Sequence, residues 1–282
     1  MTRSLEINLS PVVLKVTRPS KRHPREDGDV SVHFSDEHFP FHDPAAINIL
    51  YQIIDYVNPT TVVGHGDTCD AYTISKYEKD PHVRVSLQEE IELAARHLGT
   101  VHALSPHAQH IWLEGNHEDR LRRLIWKLAQ ESEAAAVLGL PEVRRALEWK
   151  YLLGLHDLGW ETFGYGQHKL LNDRLVCTHG NTVRAHSAYS ARGEYERYRK
   201  SGMSGHTHRR GVYEHCSYES VNGWWELGCL CLPQSYATKP NWQQGFCVVT
   251  WGDDTSFGVE EVRIHNGSTW FRGRRFVGDA SF

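Results

Sequence analysis

Seven residues of the chain combine side-chain types that bind divalent metal ions with positions in loops that follow apolar runs. They are Asp36, His38, Asp67, Asn116, His179, His206 and His208. Oxygen and imidazole donors suit borderline divalent cations, and a carboxylate can bridge two of them because its two oxygens can face different partners. With two ions about 3.5–4 Å apart, a hydroxide between them can attack phosphorus in line. The residue set therefore predicts two-metal chemistry on a phosphate ester.

Three of these residues follow short apolar runs that predict β-strands. The runs span residues 30–34, 60–63 and 110–113, and they precede Asp36, Asp67 and Asn116 respectively. Apolar residues at helical spacing occupy the two intervals between the runs, so the order strand, helix, strand, helix, strand predicts a parallel α/β sheet. Ligands bind such sheets at the carboxyl edge of the strands, where we expect all three side chains to meet.

Capping residues delimit the two intervening helices. Asp43 before a proline predicts the start of the first helix, and Asn58 before a second proline predicts its end. Ser86 followed by Glu89 forms a capping box, which predicts the start of the second helix.

The remaining segments are predicted from composition and apolar spacing. Residues 1–29 mix charges, prolines and short apolar stretches, which favours an N-terminal arm or an added strand, and residues 30–282 are predicted to form one domain. Residues 119–157 predict a helical insertion broken by a proline, and residues 187–200 a polar helix. Strands are predicted at residues 170–177, 245–251 and 259–264, and on a further run that carries Cys229 and Cys231.

Five short blocks of sequence contain the seven candidate ligands. They are Asp36-Glu37-His38, Gly66-Asp67-Thr68-Cys69-Asp70, Gly115-Asn116-His117-Glu118, Thr178-His179-Gly180 and Gly205-His206-Thr207-His208. In this order the blocks resemble the signature of the calcineurin-like metallophosphoesterases. They span residues 36–208, about three fifths of the chain. Their compactness also resembles phage- and bacterium-encoded members of that family.

The resemblance implies a fold, two cofactors and a role for each residue. The fold is α/β, a four-layer α/β/β/α sandwich of two mixed β-sheets with flanking helices. The cofactors are two divalent metal ions, with Mn²⁺ expected first and Fe, Zn or Ni as alternatives. His117 would donate a proton to the leaving oxygen or bind the transition-state oxyanion, and Asp70 would orient it. Asp36, His38 and His208 would hold the first ion, Asn116, His179 and His206 the second, and Asp67 would bridge them.

Two departures from the family's protein phosphatases bear on the substrate. Those enzymes place an arginine after the residue equivalent to Asp70 and another before the Gly-Asn-His block, whereas this chain has Ala71 and Glu114 there. Arginines suit a phosphomonoester dianion, so their absence favours a phosphodiester of a cyclic nucleotide, a nucleotide derivative or a nucleic acid. A phosphomonoesterase (including a phosphoprotein phosphatase), a DNA nuclease and a non-catalytic scaffold remain alternatives.

Cationic and aromatic residues near the last blocks are candidates for substrate contacts. Arg209 and Arg184 are candidates to bind the substrate phosphate, and the arginines at 120, 122 and 123 could add to a phosphate-binding rim, although a solvated helix face is the alternative. Four aromatic residues could stack on a base, although packing in the core is the alternative. They are Trp224, Trp225, Tyr236 and Trp242.

Composition limits the remaining possibilities. The net charge is -4 and the pI about 6.5, which gives no global argument for nucleic-acid binding. The six cysteines form no CxxC pair, so a zinc knuckle is not expected. Without an apolar run of membrane-spanning length or a signal peptide, we expect a cytoplasmic protein, in the host cytoplasm if phage-encoded, that does not bind a membrane. The oligomeric state does not follow from the sequence.

Overall fold

The computed structural model describes residues 29–281 except 131, 219, 235, 236 and 238. The predicted N-terminal arm therefore lies outside the described residues, apart from Asp29, which begins the first strand.

The first sheet has six strands, and its parallel half carries the predicted βαβαβ order. Strands β1 to β4 are parallel neighbours, β10 pairs antiparallel with β1, and β11 pairs antiparallel with β10. The strands, in sheet order, are β11 (Phe257–Arg263), β10 (Gly245–Trp251), β1 (Asp29–Phe34), β2 (Thr61–Gly64), β3 (Gln109–Leu113) and β4 (Glu161–Phe163).

The second sheet has five strands and is also mixed. Strands β6, β7 and β9 are parallel, and the two edge strands β5 and β8 are antiparallel to their neighbours. The strands, in sheet order, are β5 (His168–Leu171), β6 (Leu175–Thr178), β7 (Ser201–Ser204), β9 (Val221–Leu227) and β8 (Arg210–Cys216). A separate hairpin joins β12 (Ser268–Phe271) to β13 (Arg274–Val277).

Seven α-helices and one 3-10 turn lie in the described part of the chain. The turn spans Tyr72–Ile74. None of these helices is both long enough and apolar enough to cross a membrane. The helices are α1 (Pro44–Val57), α2 (Leu87–Leu104), α3 (Asp119–Leu128), α4 (Ser132–Leu138), α5 (Pro141–Ala146), α6 (Trp149–Leu152) and α7 (Tyr189–Tyr198).

Alternating side chains of the first sheet build two separate cores. Val62 of β2 packs into the core beneath α1 and α2, whereas its neighbour Val63 packs into the core between the two sheets. Residues 246 and 248 of β10 belong to the first core, and 247 and 249 belong to the second. Because both faces of the sheet are covered, β2 and β10 carry apolar side chains on both faces, whereas β1 also buries Ser31 and His33. Helix α7 covers the outer face of the second sheet, where Tyr195 of the helix and Trp224 of β9 belong to one small core. The predicted four-layer sandwich is confirmed.

The capping residues act as the sequence indicates. The Asp43 carboxylate accepts hydrogen bonds from the first amides of α1, and Asn58 closes that helix in the left-handed conformation. Ser86 and Glu89 form both hydrogen bonds of the capping box at the start of α2. These local contacts fix where each helix leaves the carboxyl edge of the sheet and returns to it.

Two strand predictions were wrong in detail. Residues 170–177 are not one strand, because Asn172 and Asp173 adopt positive φ angles and turn the chain back, so that β5 and β6 form a hairpin. Cys229 and Cys231 make only isolated bridges, to Gln244 and His42. The segment that carries both cysteines passes beneath the predicted metal site, where loops from both sheets converge and no regular partner strand is available.

We expect the pH dependence of stability to report on His97. Its ring is buried on α2, with Tyr51 Oη 2.9 Å from Nδ1 and Glu37 Oε1 3.2 Å from Nε2. Burial lowers the pKa of His97 to about 3, and burial raises the pKa of the facing Glu37 carboxyl. The unfolded chain protonates this imidazole below pH 6.5 and the folded chain does not. The free energy of unfolding should therefore fall by about 2 kcal/mol between pH 7 and pH 5 on account of this residue.

Urea titrations of His97→Gln at both pH values measure this contribution. The variant should lose less stability on acidification than the wild-type chain. A matched His107→Gln variant should retain the wild-type dependence, since solvent already reaches that ring in the folded protein. Equal pH dependence in all three proteins would contradict the assignment.

Candidate dinuclear metal centre

Loops at the carboxyl edges of both sheets bring the seven candidate ligands together. The first sheet contributes the loops after β1, β2 and β3, which carry Asp36, His38, Asp67 and Asn116. The second sheet contributes the loops after β6 and β7, which carry His179, His206 and His208. Because the sheets pack face to face, these two edges meet, and residues distant in sequence share one site.

Four of these residues form the first cluster of donor atoms. Asp36, His38, Asp67 and His208 each place one atom within 4.8 Å of the others, and all four are buried. His38 Nε2 lies 2.9 Å from His208 Nε2 and 3.7 Å from both Asp36 Oδ1 and Asp67 Oδ2. His208 Nε2 lies 3.3 Å from Asp36 Oδ1.

A second cluster adjoins the first through a shared carboxylate. Asp67, His179 and His206 meet the same 4.8 Å criterion. His179 Nε2 lies 3.4 Å from Asp67 Oδ2 and 3.0 Å from Asn116 Oδ1. Asp67 thus belongs to both clusters, which is the arrangement that a bridging ligand requires.

The protonation pattern of the histidines fits metal ions. His179 Nδ1 donates to the carbonyl oxygen of His65 at 2.8 Å, so the neutral ring directs the lone pair of Nε2 at Asn116 Oδ1. His38 Nδ1 likewise faces Asp70 Oδ2 at 3.1 Å, which leaves the lone pair of Nε2 facing His208. Lone pairs that face each other repel unless a cation or a proton lies between them. The donor set therefore suits two divalent ions.

In the metal-free chain, protons compete with metal ions for the imidazole nitrogens of His179 and His38. Burial lowers the pKa of His179, but the Asp67 charge outweighs burial and raises that pKa to about 9. Burial also opposes the charged form of His38, yet hydrogen bonding to Asp36 and Asp70 raises its pKa well above the ordinary value. Metal binding needs the neutral imidazoles, so it must release these protons.

Backbone strain is concentrated at the same residues. Five of the candidate ligands adopt the left-handed conformation, which disfavours residues other than glycine. Each such residue costs on the order of 1 kcal/mol and persists only where its surroundings enforce it. Their φ angles are 58° for Asp36, 50° for His38, 54° for Asp67, 71° for His206 and 55° for His208.

Glu118 fastens two of the ligand loops together, a role that the sequence did not reveal. Its buried carboxylate accepts hydrogen bonds from the amides of Asp67, Cys69 and Gly115, all between 2.8 and 2.9 Å. It therefore fixes the backbone that carries the shared carboxylate relative to the backbone before Asn116. Its position directly after Asn-His in the third block was the one available signal.

His117 points toward the site with a defined orientation. Its Nδ1 donates to the Asp70 carbonyl oxygen at 2.8 Å and lies 3.4 Å from Asp70 Oδ2, while its amide donates to Asp67 Oδ1 at 2.9 Å. Nε2 consequently carries the lone pair and accepts from Arg120 Nη2 at 2.9 Å. Asp70 thus contacts His117 mainly through its backbone, and its carboxylate also contacts His38.

Arg120 contacts this histidine directly, although it was predicted only as part of a rim. It is three residues after His117, at the start of α3, a spacing that places both side chains on one face. Its neighbours Arg122 and Arg123 pair instead with the buried Asp119, which removes them from the site. Sequence proximity alone could not separate these three arginines.

The predicted substrate arginines differ in position. Arg209 lines a cleft of about 320 Å³ over Asp67, Asn116 and His117. Its guanidinium donates to the carbonyl oxygens of residues 184 and 185. Arg184 does not line this cleft and pairs with Glu196 at 3.4 Å.

The aromatic residues predicted to stack on a base lie in different surroundings. Trp242 lines the cleft, and its ring centroid lies 4.2 Å from that of His208. Trp224 is fully buried beneath α7, and Trp225 packs at the edge of the core between the sheets. Tyr236 lies outside the described residues. Trp242 is therefore the one of the three described aromatics that a bound base could reach.

Known proteins with a similar structure include three Vps29 chains of low sequence identity. No family model matches the sequence, and no curated protein is significantly similar to it. Solved structures that match include vacuolar protein sorting 29 from Cryptosporidium parvum, at 13% identity and a TM-score of 0.46, covering 89% of this chain and 100% of that chain. Vps29 from Entamoeba histolytica (11%, TM-score 0.40, 84% and 99%) and from Chaetomium thermophilum (10%, 0.41, 83% and 97%) also match. Similarity at this level carries no argument about activity.

Proposed function

We propose that this chain is a two-metal phosphoesterase of the calcineurin-like type that prefers phosphodiesters. The observation that carries the proposal is the shared position of Asp67, whose carboxylate belongs to both donor clusters. Structural sites for single ions have no need of such a residue, whereas a pair of ions that acts on one phosphate does.

The proposed ligand sets divide between the two clusters. Asp36, His38 and His208 would hold one ion, Asn116, His179 and His206 the other, and Asp67 both. Mn²⁺ is the preferred ion, and availability in the cell would decide among Mn, Fe, Zn and Ni. When bound, the ions supply a nucleophile at neutral pH and offset the charge that develops on the phosphoryl oxygens.

The residues of the chain account for orientation and proton transfer. Glu118 and the strained loops hold the ligands in place before substrate arrives, which lowers the reorganisation needed in the transition state. His117 lies over the site with Nε2 directed away from Asp70. Once Nε2 carries a proton, it can give that proton to the leaving oxygen or donate a hydrogen bond to it. Arg120 touches the same nitrogen and would shift toward the phosphate when that proton moves.

The cations around the cleft support a singly charged phosphate. The Arg209 guanidinium donates to backbone carbonyls, and Arg184 does not line the cleft. In the part of the chain that the structure describes, Arg120 is the one arginine that contacts His117. A phosphomonoester dianion would call for more cationic groups than a diester monoanion. This comparison favours a diester of a nucleotide or a nucleic acid.

Assays with two chromogenic esters test the proposal. The protein loaded with Mn²⁺ should hydrolyse bis-p-nitrophenyl phosphate with a higher kcat/KM than p-nitrophenyl phosphate. Asn116→Ala should reduce that rate about 100-fold, because the second ion loses a ligand. A preference for the monoester would identify a phosphomonoesterase instead. Less than one ion per chain together with no turnover would favour a non-catalytic scaffold.

We expect His117→Gln to separate proton donation from oxyanion binding. The variant should retain both ions, because His117 belongs to neither proposed ligand set, and it should slow esters with poor leaving groups most. Rates for a series of aryl diesters with leaving groups of increasing pKa measure the effect. A uniform loss across the series would assign His117 to oxyanion binding.

A further inference from the structure

A second depression lies beside the metal cleft, on the other side of Trp242. It has a volume of about 610 Å³, and Trp242 lines both cavities. Arg209 faces the metal cleft, whereas the next residue, Arg210, faces the second depression together with Arg263. The start of β8 thus places consecutive arginines in the two neighbouring cavities.

Two glycines make room for the Arg210 side chain. A Cβ atom at Gly228 would lie 2.7 Å from Arg210 Cγ, and one at Gly245 would lie 2.7 Å from Arg210 Cδ. Gly245 is also the strand partner of Arg263 on β11, which brings the second guanidinium to the same depression. Any larger residue at either glycine would displace the aliphatic part of the Arg210 side chain. The two glycines therefore determine the path of that side chain.

Burial lowers the pKa of the Arg210 guanidinium, and the Glu261 charge offsets this effect only in part. The Arg210 Nε is buried without a hydrogen-bond partner among the described residues. Glu261 pairs with Arg263 at 3.1 Å, and the Asp43 carboxylate is used by the first amides of α1 and by Gln244 Nε2 at 2.8 Å. A half-buried guanidinium that lacks an acceptor leaves part of its desolvation cost unrecovered, which an anion would offset.

We infer that this depression binds a second phosphate group of the substrate, one that lies beyond the scissile ester. The geometry points to a single-stranded oligonucleotide: one phosphate over Asp67, a base against Trp242, and the neighbouring phosphate at Arg210 and Arg263. Guanidinium groups bind phosphate through paired hydrogen bonds, and aromatic rings bind bases of any sequence by stacking. The assignment to substrate rests on the proposed function, but phosphate binding itself does not.

A binding experiment without turnover tests the site. Metal-free protein is titrated with inorganic pyrophosphate by calorimetry. Arg210→Gln should weaken binding about tenfold, and Arg263→Gln, whose side chain is 69% exposed, should weaken it less. The matched control Arg275→Gln removes the same charge from an exposed position on β13 and should bind as the wild type does. If both Arg210→Gln and Arg263→Gln bound pyrophosphate as tightly as the control, the inference would be overturned. Because two positions are tested, one well-folded variant is enough to decide.

Kinetics then connect the site to catalysis. The p-nitrophenyl ester of thymidine 5′-phosphate is compared with the same ester bearing a 3′-phosphate. The wild-type KM should be about tenfold lower for the 3′-phosphorylated ester, and this ratio should approach one in Arg210→Gln but not in Arg275→Gln. If the wild type hydrolysed both esters with equal KM values, the inference about the second phosphate would be overturned, and the proposed function would stand. Absence of turnover for both esters, with both ions bound, would contradict the proposed function.

Discussion

Asp67→Asn is expected to reduce phosphodiester hydrolysis by at least about 10³-fold and to lower the metal content below two ions per chain. Asp67 Oδ2 lies 3.4 Å from His179 Nε2 and 3.7 Å from His38 Nε2, so one oxygen faces a ligand from each cluster. An amide has the same shape but removes the negative charge that both ions would share. The measurements are metal analysis by mass spectrometry and initial rates in Mn²⁺.

The same substitution should lower the stability of the metal-free protein, because the Asp67 charge stabilises the protonated His179 imidazole there. Burial disfavours the charged form of Asp67, but the neighbouring His179, His117 and His38 outweigh burial and hold its pKa well below the ordinary value. The amide oxygen can still accept from the His117 amide, which lies 2.9 Å from Asp67 Oδ1. An unchanged melting temperature without metal would contradict this account of the charge on Asp67.

Asp119→Asn provides a matched control for a buried carboxylate outside the site. Asp119 pairs with Arg122 and Arg123 and belongs to neither donor cluster. The variant should lose some stability, because two arginines lose their charged partner, but it should keep both ions. If Asp119→Asn lost metal as completely as Asp67→Asn, the loss would reflect general destabilisation and not the removal of a ligand.

The parallel half of the fold was predictable because its signals are local. Capping by Asp43 and Ser86 depends on hydrogen bonds within three residues, and strand patterns such as 60–63 need only neighbouring side chains. The convergence of the loops after β1, β2 and β3 then follows from sheet geometry. The hairpin of β5 and β6 was missed because the flanking apolar residues predict one extended strand. Asn172 and Asp173 instead adopt the left-handed conformation and form a turn.

The surroundings of the site were less predictable because they depend on long-range packing. Glu118 accepts a hydrogen bond from an amide 51 residues away in the sequence. Arg120 and Arg122 are both on α3, but Arg120 donates to His117 and Arg122 donates to Asp119. The Arg210 depression requires glycines on two other segments and a neighbouring strand. None of these arrangements has a periodic or short-range pattern that the sequence could reveal.

Gly205→Ala is expected to reduce activity about 100-fold and to destabilise the folded protein by about 1–3 kcal/mol. Gly205 lies between β7 and His206, where the second sheet meets the loop after β1. An added Cβ would overlap Ser35 Oγ and Asp36 Oδ2. Asp36 accepts the His206 amide at 2.9 Å and lies 3.3 Å from His208 Nε2, so moving it would disturb both clusters.

The contrast with Gly99→Ala isolates this steric effect from the general consequences of replacing glycine. Gly99 lies inside α2, and beyond its chain neighbours and the adjacent backbone of that helix no heavy atom is within 4 Å of an added Cβ. Alanine there should raise stability by about 0.5–1 kcal/mol, because it restricts the unfolded chain and favours the helix, and should leave the bound metal at two ions. Thermal unfolding and metal analysis of both variants decide the matter. Full metal content in Gly205→Ala would mean that Asp36 can move without releasing an ion, and the close approach of the two sheets would then not determine the geometry of the site.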